Sequence, residues 1–155
     1  MGLYFEQFAV GDTFATGTRR VERDDILQFA ELTGDGNPLH TDVEFMRSTP
    51  YGEVIAHGLL VQAIAIGLIA ELGIMDGTTI ALAQADCRFL RPVQPGDEIR
   101  AVVEISATRP SSKQVDRGVV ERVIRVLNQR DEDVLETKTV SIMRRRPGPG
   151  ETPGA

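Results

Sequence analysis

Three side chains able to move protons or orient a polar ligand lie within six residues. They are Asp35, Asn37 and His40, in T-G-D-G-N-P-L-H (Thr33 to His40). Gly36 and Pro38 allow the segment to bend back, so the Asp and the His can converge on one small polar molecule. A carboxylate can accept a proton from water, and an imidazole can donate or accept one near neutral pH. Asn37 can fix orientation through its amide. The same residues also suit a plain polar turn in which Asp35 caps local amides, and the motif alone does not choose between the two.

A second chemical element follows in A-H-G-L-L, Ala56 to Leu60, where a strongly apolar run begins. The first N–H groups of a helix have no intrahelical partners and carry partial positive charge. Gly58 lets a ligand approach that backbone closely, so an oxygen gaining negative charge would be stabilised there. The competing reading is a Gly58 that only allows tight entry into a buried helix, next to a structural His57. Asp35, His40, Asp42 and His57 offer metal ligands, but their spacing matches no common zinc pattern and no metal is expected. There is no G-x-S-x-G elbow, P-loop or G-x-G-x-x-G fingerprint, and no nucleophile for covalent catalysis stands out.

The elements that must position these groups follow from the hydrophobic pattern. Phe8 to Arg20 holds a turn and a short strand. Val21 to Thr33 reads as a helix with Ile26, Phe29, Ala30 and Thr33 on one face, ended by Gly34. Asp35 to Ala56 is polar and broken by Pro38, Pro50 and Gly52, with a helical turn at Asp42 to Arg47; long irregular segments of this kind tend to carry function. His57 to Leu72 has no polar face of useful width, the mark of a helix enclosed by other structure. Strands are expected at Thr78 to Leu90, Glu98 to Arg109, Gly118 to Asn128 and Val134 to Met143, the last two joined by a hairpin loop. In the second of these, Ile99, Ala101, Val103, Ile105 and Ala107 share a face. The expected architecture is α+β: one antiparallel sheet wrapped around a long central apolar helix.

The chain of 155 residues suits a single domain, assigned to residues 1–146, followed by a Pro/Gly-rich tail at 147–155 that is expected to be disordered. The net charge of -6 argues against a nucleic-acid surface. The apolar stretch from Ile55 to Met75 is interrupted by His57, Gln62 and Glu71 and lacks flanking Lys or Arg, so it reads as a buried helix and not a membrane span. The lone Cys87 makes no internal disulfide and reads as a small core residue. With no signal-peptide pattern at the start, a cytoplasmic protein is expected.

T-G-D-G-N-P-L-H, followed seventeen residues after His40 by H-G-L-L, closely resembles the hydratase-2 motif of MaoC-like (R)-specific enoyl-CoA hydratases. F-L-R-P-V-Q-P-G-D-E-I, Phe89 to Ile99, resembles a further segment of the same family. The resemblance implies the hot dog fold. It also implies a homodimer or dimer of dimers, with sheets joined edge to edge and active sites near the interface. The implied reaction is reversible syn addition of water to a trans-2-enoyl-CoA, giving an (R)-3-hydroxyacyl-CoA. The CoA thioester is then substrate, and no cofactor is implied. Asp35 and His40 match the catalytic pair, with Asp35 as base toward water and His40 as co-activator and proton donor to C2. Gly58 matches the glycine whose amide contacts the thioester oxygen. Asn37 and His57 match supporting positions at the substrate. Leu60 and Ile66 are candidates for acyl-chain contact, and Ile66 stands where some members carry a serine. Arg88, Arg91, Arg109 and Lys113 are candidates for CoA phosphate contacts. Two other activities stay open: a hot dog acyl-CoA thioesterase, and a non-catalytic acyl-CoA-binding module.

Overall fold

A computed structural model describes residues 2–148. Met1 and residues 149–155, most of the expected tail, lie outside the described residues. After a 3-10 turn at Phe5–Gln7, the chain runs through β1 (Thr13–Arg20), α1 (Arg23–Thr33), α2 (Pro38–Thr41), α3 (Val43–Arg47) and α4 (Gly58–Glu71). Four strands follow: β2 (Thr79–Phe89), β3 (Glu98–Pro110), β4 (Arg117–Asn128) and β5 (Asp133–Arg144). The element order matches the sequence reading, with the short α2 and the 3-10 turn as additions.

The strands form one sheet in the order β1-β3-β4-β5-β2, antiparallel throughout. β3 shows why the sheet has an inner face. Ile99, Ala101, Val103 and Ile105 are fully buried, while the residues between them are partly or fully exposed. The alternation ends at a register shift between Ile105 and Ala107, which leaves Ala107 half-buried. The β4–β5 turn is built by Asn128, whose Oδ1 accepts from the N–H groups of Arg130 (2.9 Å) and Glu132 (3.1 Å).

α4 lies across the inner face. Leu60, Val61, Ile64, Ala65, Leu68 and Ile69 are buried in the main core with Ile99, Ala101, Val103, Ile124 and Leu135. Each fully buried aliphatic side chain of this kind contributes roughly 1.5–3 kcal/mol. α1 adds Ile26, also fully buried, and Phe29 packs against the same core. One side of α4 stays uncovered in a single chain: Leu59, Ala63, Gly67 and Ala70 are exposed. The neighbouring edge strand β2 is exposed along most of its length. Cys87 on β2 is half-buried, and its thiol donates to Gln62 Oε1 at 2.7 Å.

The inner face also holds polar groups that the periodicity does not announce. Thr137, Thr139 and Ser141 of β5 and Arg122 of β4 are all buried. Arg122 donates to Ser141 Oγ and to Met75 Sδ, and burial pushes its guanidinium pKa down from the ordinary value.

Candidate functional site

The site begins where α1 stops. Gly34 adopts φ 77° and its N–H closes on Ala30 O at 2.9 Å, a left-handed stop that glycine allows at little cost. The chain then turns through Asp35 and Gly36 into α2. Asn37 caps that short helix: its Oδ1 accepts from Leu39 N–H at 3.1 Å, and Pro38 follows at the first helical position, where its missing N–H costs nothing. Thr41 Oγ1 donates to the carbonyls of Gly36 and Asn37, both at 3.2 Å. This one turn of helix carries His40 back toward Asp35. Asn37 thus acts on the backbone of the loop.

His40 Nδ1 lies 2.7 Å from the carbonyl oxygen of Ile55. A carbonyl only accepts, so Nδ1 carries the proton and neutral His40 keeps its lone pair on Nε2. His57, the residue before α4, is 3% exposed. Its Nε2 donates to the backbone carbonyl of Asp35 at 3.0 Å and lies 4.0 Å from Asp35 Oδ2. The two imidazoles stack with ring centroids 3.7 Å apart and an interplanar angle of 27°. Phe29 of α1 packs on the other ring contact of His57, centroids 4.9 Å apart. The Asp35 side chain is 56% exposed, so its carboxylate is open to solvent and ligand.

Asp35, His40, His57 and Gly58 line one cleft of about 400 Å³. Its apolar wall includes Phe29, Tyr51, Leu59 and Phe89. The Phe89 ring lies directly over Gly58: a Cβ placed there would come within 2.5 Å of the ring. Gly58 opens α4, so its N–H has no intrahelical acceptor. Asn37, Leu60 and Ile66 do not line the cleft; Leu60 is buried in the core and Ile66 is half-buried against it. Among the four candidate cations only Arg91 lines the cleft, its Nη1 donating to Asp133 O at 2.7 Å. Arg88 pairs with Glu136 and Arg109 with Glu121. Phe89 begins the third sequence motif, a position in the cleft that periodicity alone did not single out; Phe29 was legible only as a core face of α1.

Ligand-capable atoms of Asp35, His40 and His57 all lie within 4.8 Å of one another. His40 Nδ1 and His57 Nε2 are already turned to carbonyl oxygens. His57 Nδ1 is buried, which leaves the Asp35 carboxylate and His40 Nε2 open to the cleft, fewer than the three or four protein ligands of a zinc site. The arrangement suits a water held between an acid and an imidazole, facing a helix-terminal amide. Among the described residues, no helix is long and apolar enough to cross a membrane.

The chain is similar to several known proteins. The chain is 34% identical over 112 residues to a 3-hydroxybutyryl-CoA dehydratase of Methylorubrum extorquens, covering 72% of this chain and 69% of that one. It is 36% identical over 92 residues to an (R)-specific enoyl-CoA hydratase of Aeromonas caviae, covering 59% and 67%. It is also 29% identical over 143 residues to the uncharacterized protein YdeM of Bacillus subtilis, covering 90% and 98%. A crystal structure of a MaoC-like dehydratase from Rhodospirillum rubrum superposes with a TM-score of 0.85 at 33% identity, covering 94% of this chain and 99% of that one. A Mycobacterium tuberculosis protein with a double hot dog fold superposes with a TM-score of 0.81 at 20% identity, covering 99% of this chain and 48% of that one. That likeness identifies the architecture as a hot dog fold. The model of the family described as MaoC like domain matches residues 6–126, and with the fold and the motifs in agreement, the chain belongs to that family.

Proposed function

We propose that this protein reversibly hydrates a trans-2-enoyl-CoA thioester to an (R)-3-hydroxyacyl-CoA. The observation that carries the reading is the meeting of the Asp35 carboxylate, His40 and the Gly58 amide in one cleft. The water donates one hydrogen bond to Asp35 and one to His40 Nε2, the ring atom left as acceptor by the Ile55 contact. The thioester carbonyl oxygen rests on the Gly58 N–H. As the water oxygen bonds to C3, the π electrons move toward C2 and the thioester oxygen, and the Gly58 amide stabilises the charge that develops there. The proton leaving the water is delivered to C2 from the same face, which makes the addition syn.

The resemblance implies Asp35 as base and His40 as proton donor to C2. The tautomer adds a condition: a neutral His40 must receive a proton at Nε2 before it can give one. We assign Nε2 both steps, with Asp35 aligning the water and offsetting the transient imidazolium. Similarity to a 3-hydroxybutyryl-CoA dehydratase and an (R)-specific enoyl-CoA hydratase supports this chemistry.

The working unit is a homodimer. The exposed edge of β2 and the uncovered Leu59–Ala63–Gly67–Ala70 side of α4 lie next to the cleft wall, and a second copy covering them would restore the burial that an apolar helix requires.

Crotonyl-CoA tests the reading. Loss of enoyl absorbance without release of free thiol, with (R)-3-hydroxybutyryl-CoA by chiral analysis, is the expected result. Asp35→Asn and His40→Ala should each lower the rate by about 10²-fold or more. Thiol release at constant enoyl absorbance would identify a thioesterase. Tight acyl-CoA association with no turnover would identify a binding module.

A further inference from the structure

We infer that His57 is a positioning residue of this site, acting through Asp35. The inference rests on the hydration reading for its kinetic arm and on geometry alone for its structural arm.

His57 is where the three parts of the site are tied together. It precedes Gly58, so its place in the chain is the place of the helix-terminal amide. Its Nε2–H holds the Asp35 carbonyl at 3.0 Å, bridging 22 residues of sequence. Its ring stacks on His40 at 3.7 Å. The opposite nitrogen, Nδ1, is buried and has no hydrogen-bond partner among the described residues. A turned ring would take Nε2 away from the Asp35 carbonyl and leave that carbonyl without this donor. The ring instead keeps the orientation that directs its single proton at Asp35. With Phe29 and His40 against it, it has little freedom to turn. The bond from Nε2 to the Asp35 carbonyl thus fixes the loop against the start of α4. Asp35 has few other restraints: its N–H reaches Thr33 Oγ1 at 3.2 Å, and its carboxylate meets Asn37 N–H at a long 3.4 Å.

Two substitutions separate the ring from its proton. His57→Phe keeps an aromatic face for His40 and removes the donor. His57→Gln removes the face and keeps a terminal N–H able to reach the carbonyl. Displacing a reacting group by about 1 Å can cost 10²-fold, so His57→Phe should lower kcat by about 10- to 100-fold and leave KM within about twofold. His57→Gln should recover most of that loss. In an Asp35→Asn background, His57→Phe should cause no further loss, because effects that pass through one group do not multiply. A residue that merely supports the fold would lower both backgrounds by the same factor, and that outcome overturns the inference. So does a His57→Phe variant with wild-type kcat.

The structural arm needs no turnover and no variant. Nitrogen-15 spectra of the histidine rings in the wild-type protein should show His57 protonated at Nε2 and bare at Nδ1 at neutral pH. A proton on Nδ1 overturns the inference even in a fully active enzyme. If no enoyl-CoA is hydrated but the rings show the expected tautomer, the hydration reading falls and the clamp on Asp35 stands.

Discussion

Replacing Gly58 by alanine tests the site at its tightest point. An added Cβ would lie 2.5 and 2.6 Å from two atoms of the Phe89 ring and 3.1 Å from a third. Ordinary contact begins near 3.4 Å, so ring and backbone must separate by about 0.9 Å. Phe89 is 54% exposed, so the ring can yield, but its way out passes through the cleft that it lines. If the backbone yields instead, the Gly58 N–H moves off the thioester oxygen. Either movement displaces a reacting group by close to 1 Å, which can cost 10²-fold; removing an oxyanion donor outright costs about 10²–10³ in kcat. Stability should change little. Alanine suits the first turn of a helix better than glycine by up to about 1 kcal/mol, which offsets the strain of the clash. The expected Gly58→Ala enzyme therefore unfolds near the wild-type temperature and hydrates crotonyl-CoA about 10²-fold more slowly. Adding Phe89→Ala removes the atoms that clash and should restore much of the rate. Wild-type kcat/KM in Gly58→Ala would refute the assignment of that amide. A loss that persists unchanged in the double variant would refute the steric argument.

A similar clash far from the cleft should act on stability alone. A Cβ at Gly118 would fall within 2.4 Å of three atoms of the buried Phe5 ring, so Gly118→Ala should cost about 1–3 kcal/mol in chemical denaturation and leave kcat unchanged. Glu6 clasps Arg145 at 2.7 Å and the Arg146 N–H at 3.0 Å. Partial burial acts to raise its pKa, but the bonds to Arg145 and Arg146 outweigh this and hold it below the ordinary value. A depressed carboxylate stabilises above its unfolded pKa and loses that contribution as pH falls through the folded one. The deficit of Glu6→Gln, below about 1 kcal/mol for so exposed a pair, should be visible at pH 7 and vanish under acid denaturation conditions. Leu82 on the edge of β2 is 53% exposed; a charge there blunts edge pairing, so Leu82→Lys should shift the protein toward monomer in sedimentation velocity.

Much of the fold was legible because burial writes a period into the chain. The alternation of Ile99 to Ile105 marks β3, and the lack of a polar face from His57 to Leu72 marks α4. Ala107 was placed one step too far along the inner face because a bulge is a backbone event with no side-chain signature. Arg122 was missed for a related reason. A charged residue in an alternating strand reads as outward, and only its neighbours Val120 and Ile124 could have placed it inside. That Asp35, His40 and Gly58 line one cleft follows the convergence expected from their spacing. The one-turn helix that carries His40 was too short to show a period. The cap made by Asn37 was also hidden, because a side chain that holds one backbone amide leaves no period in the sequence. Leu60 and Ile66 follow Gly58 along α4, but that Leu60 is buried in the core and Ile66 half-buried against it becomes visible only in three dimensions.

The strand order has a consequence for synthesis. Among the described residues β2 pairs only with β5, and 55 residues separate Phe89 from Arg144. At about 5–20 residues per second, a ribosome needs roughly 3–11 s to make that stretch. Throughout that interval β2 has no strand to pair with, and α4 lacks the part of its cover that β5 supplies through Val134 and Leu135. A message truncated anywhere before β5 should yield aggregates in place of a smaller folded product.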